Sequence, residues 1–174
     1  MTEKKTQQKT EKKMKKLEDL FVDSLKDLYD AERQMVTALP KMMEAANSQD
    51  LKNGFKEHLE VTRRQTERLV QIFSEMKMDP KGKKCVGMQG LIKEGEEIMK
   101  EAGDPDVMDA GLIAAAQKIE HYEISGYGTV RAYAQALGHQ NIAGILDQTL
   151  KEEGQTDKKL TAMAEGHINA QTKR

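Results

Sequence analysis

Apolar side chains recur at intervals of three and four in four long runs, and the links between the runs are short, then long, then short. That order of lengths constrains the fold more than any single residue does. The first run covers Lys16 to about Ala46 and places Leu17, Phe21, Leu25, Leu28, Met35, Leu39 and Met42 on one helical face. Pro40 lies inside it and predicts a kink or an interrupted hydrogen bond. Asn47 and Ser48 break the chain before a second run, Gln49 to about Met78, with Leu51, Phe55, Leu59, Thr62, Leu69 and Phe73 as its stripe. Asp79-Pro80 and Lys81-Gly82 end that run. A shorter helix is predicted over Val86 to Glu101. Asp104-Pro105 then supplies an N-cap and a first helical residue for a third long helix, which Gly138 stops after about Leu137. The last long helix covers about Gln140 to Ala170.

Short links force antiparallel neighbours. Two such pairs joined by one long central connection make a ferritin-like four-helix bundle, with a short extra helix in the crossover, rather than a simple up-down-up-down bundle. The fold class is all-α: no stretch alternates apolar and polar residues as a strand would. The bundle domain spans 16–170. Residues 1–15 form a basic tail: the first sixteen positions hold seven lysines and two glutamates, a composition that predicts disorder.

Composition narrows the function. Twenty-eight basic and 29 acidic residues give a net charge of -1, which argues against nucleic acid as a bulk electrostatic partner. No apolar run is long enough to cross a membrane and no apolar segment follows the early lysines, so neither a membrane partner nor a secretory signal is expected. A single cysteine, Cys85, suits a reducing, cytoplasmic compartment and reads as a small packing residue.

The informative residues are polar ones on the apolar stripes. Glu32 falls in the series 21, 25, 28, 32, 35, 39 of the first helix. Glu120 and Glu123 lie on the inner face of the third long helix, one turn apart, and Glu153 on that of the last, with Asp157 at its flank. On the second helix His58, Thr62 and Gln65 are on or near the inner face. Counting outward from the two short turns brings Glu32, Thr62 and Gln65 to one height and Glu123, Glu153 and Thr156 to a matching one, with His58 one turn away. A buried, unpaired carboxylate costs several kcal/mol or takes up a proton. Four in one layer repel one another, and a divalent or trivalent cation removes that penalty. Two readings stay open: a metal centre, and a proton-sharing or salt-bridged polar layer. His58 is a candidate ligand or a satisfied core histidine, and Gly126 and Gly128 suggest close helix approach or a local bulge.

The blocks DLYDAERQM, EHLEVTRRQTERL, KCVGMQGLI, LIAAAQKIEHYEISGYGTV and TLKEEGQTDKKL closely resemble those of the YciF/YciE-like bacterial proteins, a ferritin-like, stress-associated family. The resemblance covers nearly everything from Lys16 to Ala164. It implies a dimeric four-helix bundle, similar to rubrerythrin in outline, with Glu32, Glu120, Glu123, Glu153 and Asp157 as site acids. Where the family often reads HLEET, this chain reads HLEVT. Val61 replaces a glutamate and Gln65 fills a His-or-Gln position, which removes one carboxylate ligand and implies a mononuclear or weakly occupied site. The implied cofactor is iron, two ions at most, with manganese as the alternative. The implied chemistry is Fe(II) oxidation or peroxide reduction. The competing expectation is a non-enzymatic interaction protein whose metal site is degenerate or purely structural.

Overall fold

A computed structural model describes residues 13–172. Its helices are α1 (Leu17–Ala45), α2 (Gln49–Glu75), α3 (Val86–Glu101), α4 (Pro105–Ala136) and α5 (Gln140–Met163), continued by a π-helical turn (Ala164–Ile168) and a last turn, α6 (Asn169–Gln171). No strand occurs among the described residues. Residues 1–12 of the expected tail lie outside the described residues. No helix among those described is long and apolar enough to cross a membrane.

Pairs of side chains fix the topology. Phe21 stacks on His139, Tyr127 donates to Glu32, and Asp109 reaches the backbone of Asn47, so α1 and α4 run antiparallel. Contacts of Glu57 with Lys159, Arg68 with Glu152 and Glu75 with Asn141 make α2 and α5 antiparallel as well. With α1 and α2 joined by a short turn, α2 and α4 are therefore parallel. The connection from α2 to α4 travels the length of the bundle and carries α3, the ferritin-like arrangement expected from the link lengths. Asp30 and Gln34 of α1 hold the start of α3 through Cys85: the Asp30 carboxylate accepts its N–H at 2.8 Å and the Gln34 amide donates to its carbonyl at 3.0 Å.

Local chemistry ends each helix. Asp104 caps α4 by accepting from the N–H groups of Asp106 and Val107. Gly138 sits at φ 81° after α4, and His139 N–H reaches back to the Ala134 carbonyl at 2.8 Å. α2 stops earlier than Asp79-Pro80 suggests, because Lys77 takes φ 55° and Met78 N–H closes on the Phe73 carbonyl at 2.9 Å. Helix α1 passes through Pro40 unbroken, giving up only the hydrogen bond that proline cannot donate. Gly126 marks a close approach: a Cβ there would stand 2.7 Å from Leu28 Cδ2 of α1. Nothing lies within 4 Å of such an atom at Gly128, so close approach does not explain that second glycine.

The interior is two apolar cores with a polar layer between them. One, toward the α1–α2 turn, contains Met35, Leu39, Leu51, Phe55, Leu112 and Ile119. The other contains Phe21, Leu25, Leu69, Phe73, Val130 and Leu146. Each such side chain contributes about 1.5–3 kcal/mol on burial. These cores hold the polar layer in place and shut water out above and below it.

Candidate metal centre

Four side chains from three helices meet in that layer: His58 from α2, Glu120 and Glu123 from α4, and Glu153 from α5. Each offers a donor atom within 4.8 Å of the others'. All four are buried, with Glu120 and Glu153 at 0% exposure. The i, i+3 spacing of Glu120 and Glu123 aims both carboxylates at one point. The parallel course of α2 and α4 brings His58 beside Glu120, with Nε2 3.2 Å from Oε1. Glu32 of α1 stands against this group and accepts a hydrogen bond from the Tyr127 hydroxyl, itself fully buried.

The electrostatics are unfavourable without a cation. Burial first, and then the neighbouring acids, push Glu120, Glu123 and Glu153 well above the usual carboxylate range. Burial lifts Glu32 to about 8, with the Tyr127 hydrogen bond and the Arg68 charge pulling the other way. Burial alone lowers His58 to about 4, so its ring is neutral near pH 7 and offers a lone pair. A proton passed between Glu153 and Glu120 relieves one contact. It leaves Glu32 Oε2, Glu123 Oε1 and both ring nitrogens of His58 with no hydrogen-bond partner. A buried unsatisfied polar group costs about 1–3 kcal/mol, more if charged. A cation among His58, Glu120, Glu123 and Glu153 would take one ring nitrogen and one oxygen from each carboxylate. Carboxylate oxygens with one imidazole suit first-row metals such as iron and manganese.

The structure brings only some of the expected site residues together. Glu120, Glu123 and Glu153 converge, with Glu32 adjacent. His58 is not a turn away from the layer. The parallel course of α2 and α4 sets it at the height of Glu120, the first of the two α4 acids. Gln65 is buried but its amide donates to Glu152 Oε2 at 3.3 Å, away from the four-residue group. Asp157 stays on the flank, where it accepts from Gln117 at 3.1 Å and faces His121 Nε2 at 3.3 Å. Its charge is felt by Glu120, but its oxygens are outside the group.

Residues 16–173 match the family described as Domain of unknown function (DUF892). The chain belongs to the DUF892 family. It is 45% identical over 157 residues to Protein YciF of Escherichia coli K12, covering 90% of this chain and 95% of that protein. The crystal structure of the E. coli stress protein YciF superposes with a TM-score of 0.86 at 45% identity, over 90% of this chain and 99% of that one. A Rhodopseudomonas palustris protein described as a candidate structural protein, YcfI, gives 0.85 at 44% identity, over 87% and 96%. A Xanthomonas campestris protein at 19% identity shares the fold alone, with a TM-score of 0.71 over 88% and 94%.

Around the centre of this DUF892 protein, two features escaped the sequence. Arg68 grips Glu152 with two hydrogen bonds, 2.6 and 2.7 Å, and also reaches Thr149 Oγ1, closing the α2–α5 seam on one side of the layer. The pairing lowers the Glu152 carboxyl despite its partial burial. Both residues sit on helix flanks, and helical periodicity cannot pair flanks across helices. The second is Asp109, buried on the inner face of α4, which accepts the N–H groups of Asn47 and Ser48 at 2.6 and 2.7 Å. It is an inward acid in the same stripe as Glu120, spent on the start of α2 rather than on the centre.

Proposed function

We propose that this protein is a metal-binding, ferritin-like member of its family, holding iron or manganese in the buried carboxylate layer and handling Fe(II) or peroxide under stress. His58, Glu120, Glu123 and Glu153 would hold the ion, and Glu32 would take part in a second position. The observation that carries this reading is the set of buried donor atoms with no partner, drawn from all three helices and from Glu32. When bound, such a metal supplies one-electron redox chemistry toward dioxygen or peroxide. The chain's own contribution is distinct. Neutral His58 presents a lone pair, the acids release protons as they take up the ion, and the Tyr127 hydroxyl fixes the orientation of Glu32. Arg68, held by Glu152, lends positive charge to the layer without entering it. The likeness to the E. coli stress protein supports the stress context.

A purely structural ion is the second reading, and one observation favours it. Glu152 is committed to Arg68 and Gln65 to Glu152, so the layer beside Glu32 gains no further free acid from α2 or α5. The experiment is elemental analysis of chain purified without chelator, followed by addition of Fe(II) in air. Redox function predicts bound iron or manganese and loss of Fe(II) with growth of a near-ultraviolet absorption band. A structural ion predicts bound metal and thermal stabilisation without turnover. Chain free of metal, and unable to take any up, refutes both.

A further inference from the structure

Outside the centre, one recess points toward it. It lies between α2 and α5, measures about 40 Å³, and is lined by Gly54, Glu57, His58, Val61, Thr156 and Lys159, among others. That is room for water or a small ion. His58 is only 4% exposed, yet its ring both lines this recess and stands 3.2 Å from Glu120. Its Nδ1 has no partner. At the outer end Lys159 Nζ meets Glu57 Oε2 at 3.0 Å, with side chains 64% and 70% exposed. Such an exposed pair is held weakly and parts readily. Met163 forms part of the wall opposite Gly54, and its thioether tip is flexible.

Four other recesses are lined by none of the four donors. Further along the same seam Arg68 and Glu152 are largely buried and doubly bonded, and a guanidinium repels an incoming cation. On the α1–α4 side a wider recess of about 350 Å³ has Leu28 and Gly126 in its lining, and Leu28 packs down onto Gly126 at its wall. Apolar cores fill both ends of the bundle.

We propose that the α2–α5 recess is the entrance by which a cation reaches the carboxylate layer, with the Glu57–Lys159 pair as a loose gate and His58 as the first donor met inside. The proposal rests on the metal-centre reading. It gives Val61 a role: this side chain lines the passage together with His58, so the position sets the width and polarity of the route.

The test is stopped-flow loading of the chelator-stripped full chain with Co(II), read by visible absorption. Val61→Phe narrows the recess and slows loading severalfold. Lys159→Glu reverses the charge at the mouth and speeds loading by about tenfold at low ionic strength, a gain that collapses in high salt. Both variants reach the parent's final Co(II) stoichiometry, because neither residue belongs to the four-residue group. Acceleration by Lys159→Glu is a readout that a merely structural role would not produce. If the parent loads and both variants load at the parent's rate, the entrance is overturned and the centre stands. A parent that takes up no Co(II) at equilibrium overturns the centre and the entrance together.

Discussion

Replacing Glu32 with glutamine tests whether the metal-free layer is strained by its own acids. Burial lifts Glu32 from 4.5 to about 8, so the native protein at pH 7 keeps a proton that the unfolded chain releases. Between those two values the native state binds more protons than the unfolded one, and stability falls as pH rises through the window. At about 1.4 kcal/mol per pH unit, the cost relative to a side chain that does not titrate is about 3 kcal/mol at pH 7 and under about 1 kcal/mol at pH 5. Glutamine keeps the shape and an oxygen to accept the Tyr127 hydroxyl. Metal-free Glu32→Gln is therefore more stable than the parent at pH 7, by up to about 3 kcal/mol, and nearly equal to it at pH 5. His58 titrates in the opposite sense, from 6.5 down to about 4, so its contribution is lost as pH falls through that range. It is present in both proteins and largely drops out of the difference. Urea unfolding of chelator-stripped parent and variant at pH 5, 6 and 7 measures the effect. A difference that does not change with pH, or a variant less stable at pH 7, refutes the reasoning.

His58→Ala removes the one neutral donor; metal affinity, measured by calorimetric titration, falls by about 100-fold or more while the helical circular dichroism is retained. Asp109→Ala leaves the N–H groups of Asn47 and Ser48 without their carboxylate and costs about 2–3 kcal/mol in urea unfolding, whatever the metal content. Lys77→Gly relieves the left-handed backbone after α2 and stabilises the protein by about 0.5–1 kcal/mol; a loss of stability would show that Lys77 contributes something its backbone angle does not reveal.

The bundle was legible because four amphipathic runs and their link lengths leave few topologies open. Glu32, Glu120, Glu123 and Glu153 were legible for a related reason: each interrupts an apolar stripe. The height of His58 was not, since counting from the two short turns aligns α1 with α2 and α4 with α5 but says nothing of α2 against α4. Asp109 shows the limit of the same rule. It too is an inward acid, yet its partners are backbone groups at a turn, which periodicity does not locate. The cluster at Cys85 depends on docking of α3: Cys85 Sγ lies 3.0 Å from Asp27 and 2.9 Å from Tyr122, whose hydroxyl donates to Asp27 at 2.6 Å. Cys85 is buried and caps α3, so its packing role is as read, but Tyr122 and Asp27 carry no pattern that would pair them.

Anomalous diffraction from a crystal grown without chelator and soaked in Mn(II) bears most directly on the metal centre. A metal held in the layer gives a peak among His58, Glu120, Glu123 and Glu153. The absence of any peak there, with Glu32, Glu120, Glu123 and Glu153 instead sharing protons among themselves, would contradict it.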